Sequence, residues 1–360
     1  MLGAATQRIH AMIQPNDLVH LEPIVGPAAW RGVQLGGIAA LTRHLEEAQR
    51  AELVHATEFA LRRAAVGAAP TLGEADFPLQ RCLPLLAELR EDISRGRGAA
   101  LLTGLPALSG KAAEALVWGI GCHLGVPEPQ DAAGALLHHV RDMGVQVTGT
   151  DDIRGFQTNA ALDFHNDGGE AFLLHCLQQV PRGGDSLLVS AVAVYNELLR
   201  RRPDLVRVLA QPIDFDARAQ QQTGEQRLQR APIFVRDGKD FCALYKRGYI
   251  QLGQRFPEAR PLTLAQTEAM DALDEICRNP TFHVRFRLQQ NQMLLASNFT
   301  MLHARLRYDD EPCAPRYLLR LWLTLHNGAR VPDAYARTRE FGRTWRRQQA
   351  SSGALSAAAD

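Results

Sequence analysis

The chain has almost no charge of one sign to spare: 40 Lys and Arg stand against 39 Asp and Glu among 360 residues, a formal net charge of +1. Such a balance sets up no long-range field of the kind that gathers nucleic acid or an anionic membrane, so neither is an expected partner. Arginine far outnumbers lysine, yet the arginines are scattered. The run Arg200, Arg201, Arg202 before Pro203 reads as a solvated helix end, where cations complement the helix dipole. Paired cysteines are lacking too. The six present (Cys82, Cys122, Cys176, Cys242, Cys277, Cys313) are widely spaced with no C-x-x-C, which excludes a zinc knuckle and a dense disulfide framework and leaves reduced thiols. No window reaches the roughly 20 uninterrupted apolar residues of a membrane span. The opening stretch "MLGAATQRIHAMIQPNDLVHL" has no apolar run of signal-peptide length, so a cytoplasmic protein is expected. No internal repeat is visible.

What is present is a 46% hydrophobic composition, enough for a large core, and a change of period along the chain. The first third repeats apolar residues every three or four positions, as in "GIAALTRHLEEAQRAELVHATEFALRRAAVG" and "FPLQRCLPLLAELREDISRGRG", and predicts helices. "AALLTGLP" (99 to 106) is a short buried strand and "KAAEALVWGIGCHLG" a helix. Beyond about residue 135 short strand-like runs dominate: "ALDFHND", "AFLLHCLQQV", "DSLLVSAV", "DFCALYKRGYI", "FHVRFRLQ", "QMLLASNF" and "RYLLRLWLTL". Two helical insertions interrupt them, "VAVYNELLRRRPDLVRVL" and "LTLAQTEAMDALDEICRN"; Thr263 before Gln266 spells a capping box for the second. Many short strands with helices at the margins predict a mostly β protein with helical flanks around a double-stranded β-helix (jelly-roll) core. The expected division is a helical region over 1–98 packed on the core, the core with its insertions over 99–347, and a tail over 348–360 too small and polar to hold a structure.

Several tempting motifs fail on inspection. "GLPALSGKA" (104 to 112) resembles a phosphate-binding loop, but five residues separate its glycines where four are needed, and Ala112 replaces the magnesium-binding hydroxyl. "NFT" (298 to 300) is formally a glycosylation sequon inside an apolar run. His138 and His139 are adjacent, so on a strand they face opposite ways and cannot share a metal. His175 reads as a core histidine.

"ALDFHND" (161 to 167) is more promising. As a strand it places Asp163, His165 and Asp167 on one face and Phe164 and Asn166 on the other, with His165 and Asp167 about 7 Å apart along the backbone and able to converge on one ion. A non-haem Fe(II) centre needs two imidazoles and one carboxylate on one face of an octahedron. His303, in "MLLASNFTMLHAR", read as a strand running into an apolar turn, is the best candidate for the second imidazole. Downstream, "RYLLRLWL" points Arg316, Leu318, Arg320 and Trp322 to one side of a strand too apolar to be solvated, and buried arginines need anions.

"LDFHNDGGEAFLLHCLQQVPRGGDSLLVSAVAVYNELLRRRPDL" together with "NFTMLHARLRYDDEPCAPRYLLRLWL" resembles the taurine dioxygenase (TauD/TfdA-like) branch of the Fe(II)/2-oxoglutarate-dependent oxygenases, which includes clavaminate synthase. The resemblance spans about residues 150 to 325 and lies in order and spacing: His-x-Asp, a Gly-Gly-Asp-Ser turn, a distal histidine, and an arginine thirteen residues after it. It implies that His165, Asp167 and His303 bind Fe(II), that Arg316 holds the distal carboxylate of 2-oxoglutarate with help from the Ser186 hydroxyl, and that O2 is the second co-substrate. Arg320, roughly 13 Å beyond Arg316 along a strand, is implied to approach the keto-acid end or the primary substrate. An ion pair of Arg320 with Asp309 or Asp310 is the competing reading.

The sequence departs from the family pattern at Asn166, where a Thr is usual, and in "GGE" (168 to 170), which suggests a substrate mouth specialised around Glu170 and Asn166. A Gly-Asp turn that commonly precedes the distal strand is missing from "LQQNQMLLASNF". The polar stretch "DFDARAQQQTGEQRLQRAP" (214 to 232) suggests a mobile lid. The expected reaction is oxidation of an unactivated C–H bond of a small polar molecule, amino-acid-like or a natural-product intermediate, with succinate and CO2 as co-products. Hydroxylation is the default, and desaturation or ring closure would use the same residues. Halogenation is disfavoured because Asp167 occupies the position a halide would need. A non-catalytic jelly-roll binding protein and a metal-dependent hydrolase are the alternatives, and a buried Arg316 beside Ser186 has no use in the hydrolase. A homodimer is left open.

Overall fold

The computed structural model describes residues 21–66, 73–145, 154–221, 225–237, 240–310 and 315–357. Among them the strands in chain order are β1 (Thr42–His44), β2 (Ala99–Thr103), β3 (Gly125–Glu128), β4 (Leu137–Val140), β5 (Leu162–His165), β6 (Ala171–Gln178), β7 (Ser186–Ser190), β8 (Ile213–Asp216), β9 (Leu228–Ala231), β10 (Phe234–Asp237), β11 (Asp240–Ala243), β12 (His283–Phe286), β13 (Met293–Ser297), β14 (Met301–Arg305) and β15 (Tyr317–Leu325). The helices are α1 (Gly32–Leu35), α2 (Glu47–Val66), α3 (Leu83–Ser94), α4 (Gly110–Leu124), α5 (Ala191–Arg201), α6 (Pro203–Leu209), α7 (Arg247–Gly253), α8 (Leu264–Arg278) and α9 (Gly342–Ala357).

Seven strands form one sheet in the order β1-β2-β13-β6-β15-β3, with β4 pairing along β15 as well; β12-β7-β14-β5 form a second sheet of four. Only the β1–β2 pair in these two sheets is parallel. The alternation of β15 explains how the layers stack. Leu319, Leu321, Leu323 and Leu325 pack outward with α4, while Leu318 and Trp322 point inward with Phe172 and Leu294 to meet Leu188, Val284 and Phe286 of the second sheet. Burying each of those leucines is worth about 1.5–3 kcal/mol. Helix α4 lies close because Gly121 has no side chain: a Cβ there would come within 2.6 Å of Leu321. On the far side α5, α6 and α8 cover Phe164, Val189 and Leu302 of the second sheet. Ser190 caps α5 and Thr263 with Gln266 forms the capping box of α8.

More of the described residues lie in helices than in strands, so the molecule is a sheet-rich mixture of both classes that mostly β describes only roughly. The reason is physical: both sheets bury both faces, and the helices are what covers the outer ones. Three local expectations also change. "MLLASNFTMLHAR" is two strands, β13 and β14, because the Ser297 hydroxyl accepts the Phe299 N–H and turns the chain from one sheet into the other. "DFCALYKRGYI" stops being a strand at Ala243 and enters α7 at Arg247. Helix α9 runs through most of the tail expected to lack structure; the Gln348 side chain ties it to Val331 N–H and Ala329 C=O. No helix among the described residues is long and apolar enough to cross a membrane.

Candidate metal centre and its cavity

The second sheet brings the two histidines face to face. β5 and β14 run antiparallel with His165 directly opposite His303, and the rings stand 4.3 Å apart between centroids. Asp167 follows β5 by two residues, and one ligand atom from each of His165, Asp167 and His303 lies within 4.8 Å of the others. Alternation along β5 is kept in part: Phe164 and Asn166 are buried in the packed interior while His165 and Asp167 line the cavity, and Asp163 stands at its exposed rim beside Arg278.

Asp167 is held from two sides. Its backbone N–H donates to Asn298 Oδ1 at 3.0 Å, and Asn298 Nδ2 donates to the carbonyls of Gly168 and Gly169, so one buried amide fixes the turn. Gly168 has no alternative there, since a Cβ would meet the Trp322 ring at 2.5 Å. Arg320 Nη1 donates to both carboxylate oxygens at 3.1 and 3.0 Å. Burial is the largest single influence on the Asp167 carboxyl and would raise it; Arg320, the two histidines and Lys246 together outweigh it and hold the group well below the usual carboxylate range. Loss of bulk water lowers both imidazoles, His303 to about 3, so both are neutral and able to act as ligands. The His165 Nδ1–H donates to the Asp163 carbonyl at 2.7 Å, which leaves Nε2 with the free lone pair. His303 Nδ1 has no partner among the described residues. Two neutral imidazoles and one ionised carboxylate are the donor set of a non-haem Fe(II) site, so these residues fit that ion.

Arg316 and Ser186 open on the same cavity, of about 390 Å³. Arg316 is 2% exposed, and its Nε and Nη1 have no hydrogen-bond partner among the described residues. A guanidinium left in that state asks for an oxyanion. Arg305 has the same character: Nη2 donates to the Thr158 and Ala160 carbonyls while Nε and Nη1 have no partner among the described residues. It stands two residues after His303 on β14 and pairs with Ser186 across the ladder. Period-two alternation from His303 could have found it.

Other expectations are corrected. Glu170 is not in the mouth: it is 1% exposed, and its carboxylate accepts the N–H groups of Leu325 and Ala329 at 3.1 and 2.5 Å. Burial pushes it up to about 8. Asn166 is fully buried, donating to the Ala243 and Asn298 carbonyls and accepting from Tyr245 N–H. Both are structural because they sit on the side of the chain turned from the cavity. Arg320 is engaged with Asp167 and with Gln130 Oε1 at 2.8 Å, not with Asp309 or Asp310. The stretch read as a lid contributes the β8–β9 hairpin with Asp214, Phe215 and Asp216 buried; its residues 222–224 lie outside the described ones. His175 is in the core, as expected, and His138 is buried while His139 is exposed.

A cluster of two histidines and one carboxylate, facing arginines with unpartnered nitrogens among the described residues, has the donor set of an oxygenase-type metal site, and comparison with known proteins agrees with that class. The chain belongs to the family described as taurine catabolism dioxygenase TauD, TfdA, whose model matches residues 63–322. It is therefore an Fe(II)- and 2-oxoglutarate-dependent dioxygenase. It is 32% identical over 328 residues to FR-33289 synthase of Streptomyces rubellomurinus, a match covering 87% of this chain and 94% of that protein. It is 29% identical over 179 residues to a uridine-5'-phosphate dioxygenase of an Amycolatopsis species, covering 48% of this chain and 64% of that protein. The solved structure of asparagine oxygenase with Fe(II), (2S,3S)-3-hydroxyasparagine and succinate shares the fold: TM-score 0.59, 20% identity, 79% of this chain and 93% of that one.

Proposed function

We propose that His165, Asp167 and His303 hold the iron, that Arg316, Ser186 and Arg305 receive the distal carboxylate of 2-oxoglutarate, and that the enzyme oxidises a C–H bond of a small polar molecule. The observation that carries this reading is the pairing of the three-donor cluster with a buried Arg316 whose Nε and Nη1 lack partners among the described residues, in one cavity. When bound, Fe(II) supplies the coupling of 2-oxoglutarate decarboxylation and O2 reduction to substrate oxidation, with succinate and CO2 released. The chain's part is orientation and dryness. Arg320 keeps the Asp167 carboxylate ionised and aimed; Arg316 offers a two-pronged fork that fixes the co-substrate's far end. Phe172, Leu294 and Trp322 wall the metal side from water.

Relatives named for uridine 5'-phosphate and a structural neighbour holding hydroxyasparagine support small polar molecules, amino acids included, as the substrate range. The two facing sheets support reading the core as a double-stranded β-helix, with the N-terminal helices packed on it as one outer layer. Five described cysteines, all buried as thiols, support a reducing, cytoplasmic setting.

The test is anaerobic absorption spectroscopy with Fe(II) and 2-oxoglutarate. Wild type should develop a weak visible charge-transfer band, and Arg316→Ala should need about 100-fold more 2-oxoglutarate to reach it, the worth of a charged bidentate contact. A folded, iron-loaded wild type with no band would overturn the assignment.

A further inference from the structure

One wall of the cavity carries more positive charge than the metal site and the co-substrate can use. Arg154, on the turn before β5, and Arg339, from the segment before α9, both donate to the same backbone oxygen: Arg154 Nη1 and Arg339 Nη2 each lie 2.7 Å from the Gln130 carbonyl. Gln130 is fully buried, and its side chain meanwhile holds Arg320. Two guanidiniums thus converge on one neutral acceptor. Arg154 is 7% exposed and has no carboxylate within salt-bridge distance among the described residues. Burial, then Arg339 and Arg320, lower it to about 9. Beside them Lys246 shares the single carboxylate of Glu340 with Arg339, at 2.9 and 3.4 Å. The Trp322 ring lies under Arg320, Arg339 and Lys246, and its buried indole N–H has no partner among the described residues.

The charges do not cancel. Arg154, Arg320, Arg339 and Lys246 face Asp167, Glu340 and, across the neutral His138, Asp131, leaving one positive charge over. Iron and dianionic 2-oxoglutarate offset each other, and the co-substrate's far carboxylate has Arg316 and Arg305 of its own. Like-charged groups gathered in a low-dielectric site repel unless an anion joins them.

We propose that Arg154 and Arg339, seated on the Gln130 carbonyl and completed by Lys246 and the Trp322 indole N–H, form the receptor for a dianionic phosphoryl or phosphonyl group on the primary substrate. This rests on the iron and 2-oxoglutarate assignment, which puts the co-substrate at Arg316 and leaves this wall for the substrate. A phosphoryl group brings a charge near −2 and three acceptor oxygens, which two guanidinium forks and a lysine match. The contacts run from Asp167 through Arg320 and Gln130 to the two arginines, so the oxidised carbon lies a short chain away from the headgroup.

The experiment is calorimetric titration of the enzyme loaded anaerobically with Fe(II) and 2-oxoglutarate, using propylphosphonate, propanesulfonate, butyrate and 1-propanol as probes. At about pH 8.5, where an alkylphosphonate is mostly the dianion, the phosphonate should bind about tenfold or more tightly than the monoanions, with the alcohol weakest. Arg154→Gln and Arg339→Gln should each cost about tenfold or more in phosphonate affinity, with the 2-oxoglutarate charge-transfer band and its titration midpoint unchanged within about twofold. Arg154→Lys, which keeps the charge and loses the fork, should fall between and carries the test if Arg154→Gln does not fold. Phosphonate binding no tighter than sulfonate or butyrate would overturn the proposal. So would binding that survives in both glutamine variants, or that disappears in Arg316→Gln while persisting in them, which would put the anion in the co-substrate pocket. The same titrations on metal-free protein score the receptor separately from the iron assignment, which stands or falls on the band.

Discussion

Asp167 is pulled in two directions, upward by burial and downward by Arg320 with the two histidines and Lys246, and the charges together win. Arg320 therefore acts through Asp167 as well as on the cavity. Replacing it with methionine of similar length should weaken Fe(II) binding about 10–100-fold, the usual cost of losing a partner of a metal ligand, and anaerobic Fe(II) titration would show it. Unchanged affinity would mean that the ion pair does not tune the site. Glu170 illustrates the opposite balance. Its two backbone N–H donors favour the anion, but burial prevails and lifts the carboxyl to about 8 from an ordinary 4.5. A carboxyl raised on folding adds stability below its unfolded value, and that contribution is lost as pH rises through the folded one. Urea midpoints of the wild type should thus decline between 4.5 and about 8 more steeply than those of Glu170→Gln. The glutamine can accept only one of the two N–H groups well, so the variant should also be less stable by about 1–3 kcal/mol at low pH, with 2-oxoglutarate binding intact.

Among the elements, the turn after β5 depends on a residue 131 positions away in sequence, Asn298, which bonds Asp167 N–H and the Gly168 and Gly169 carbonyls. Asn298→Ala should cost about 2–4 kcal/mol in unfolding free energy through the stranded buried groups and weaken iron binding alongside. A stability loss with iron affinity preserved would show that the turn holds without it. This contact also marks where the sequence stopped being legible. Period two within "ALDFHND" puts His165 and Asp167 on the cavity and Phe164 and Asn166 in the packed interior, because that pattern is local to one strand, while Asp163 lies at the exposed rim. The same rule would have exposed Arg305 from His303. The pairing of His165 with His303, and the clamp of Asn298, are properties of a ladder and a crossover between sheets, and no spacing encodes them. Glu170 was misplaced for a related reason: its acceptor role is created by Leu325 and Ala329, at the far end of β15 and just beyond.

Taken whole, the molecule is nearly neutral at +1, yet its cavity gathers Arg154, Lys246, Arg305, Arg316, Arg320 and Arg339 against few acids. Composition excluded a basic surface and could not reveal a basic interior, since opposite charges are averaged along a chain and separated only by folding. Such a cavity steers anions: raising salt from low to physiological strength should slow 2-oxoglutarate association severalfold, to about a tenth at most, a drop that stopped-flow mixing would follow. An association rate indifferent to salt would mean the field does not reach beyond the mouth. Arg339 arrives on the segment leading into α9, far from β5 and β14, while Arg154 precedes β5. Both rest on a main-chain oxygen of Gln130, which no substitution at that position removes. Either arginine can consequently be exchanged without disturbing its neighbour's anchor or the ligands on the second sheet. A protein built this way is able to change what it recognises by single steps, through intermediates that all remain competent oxidants.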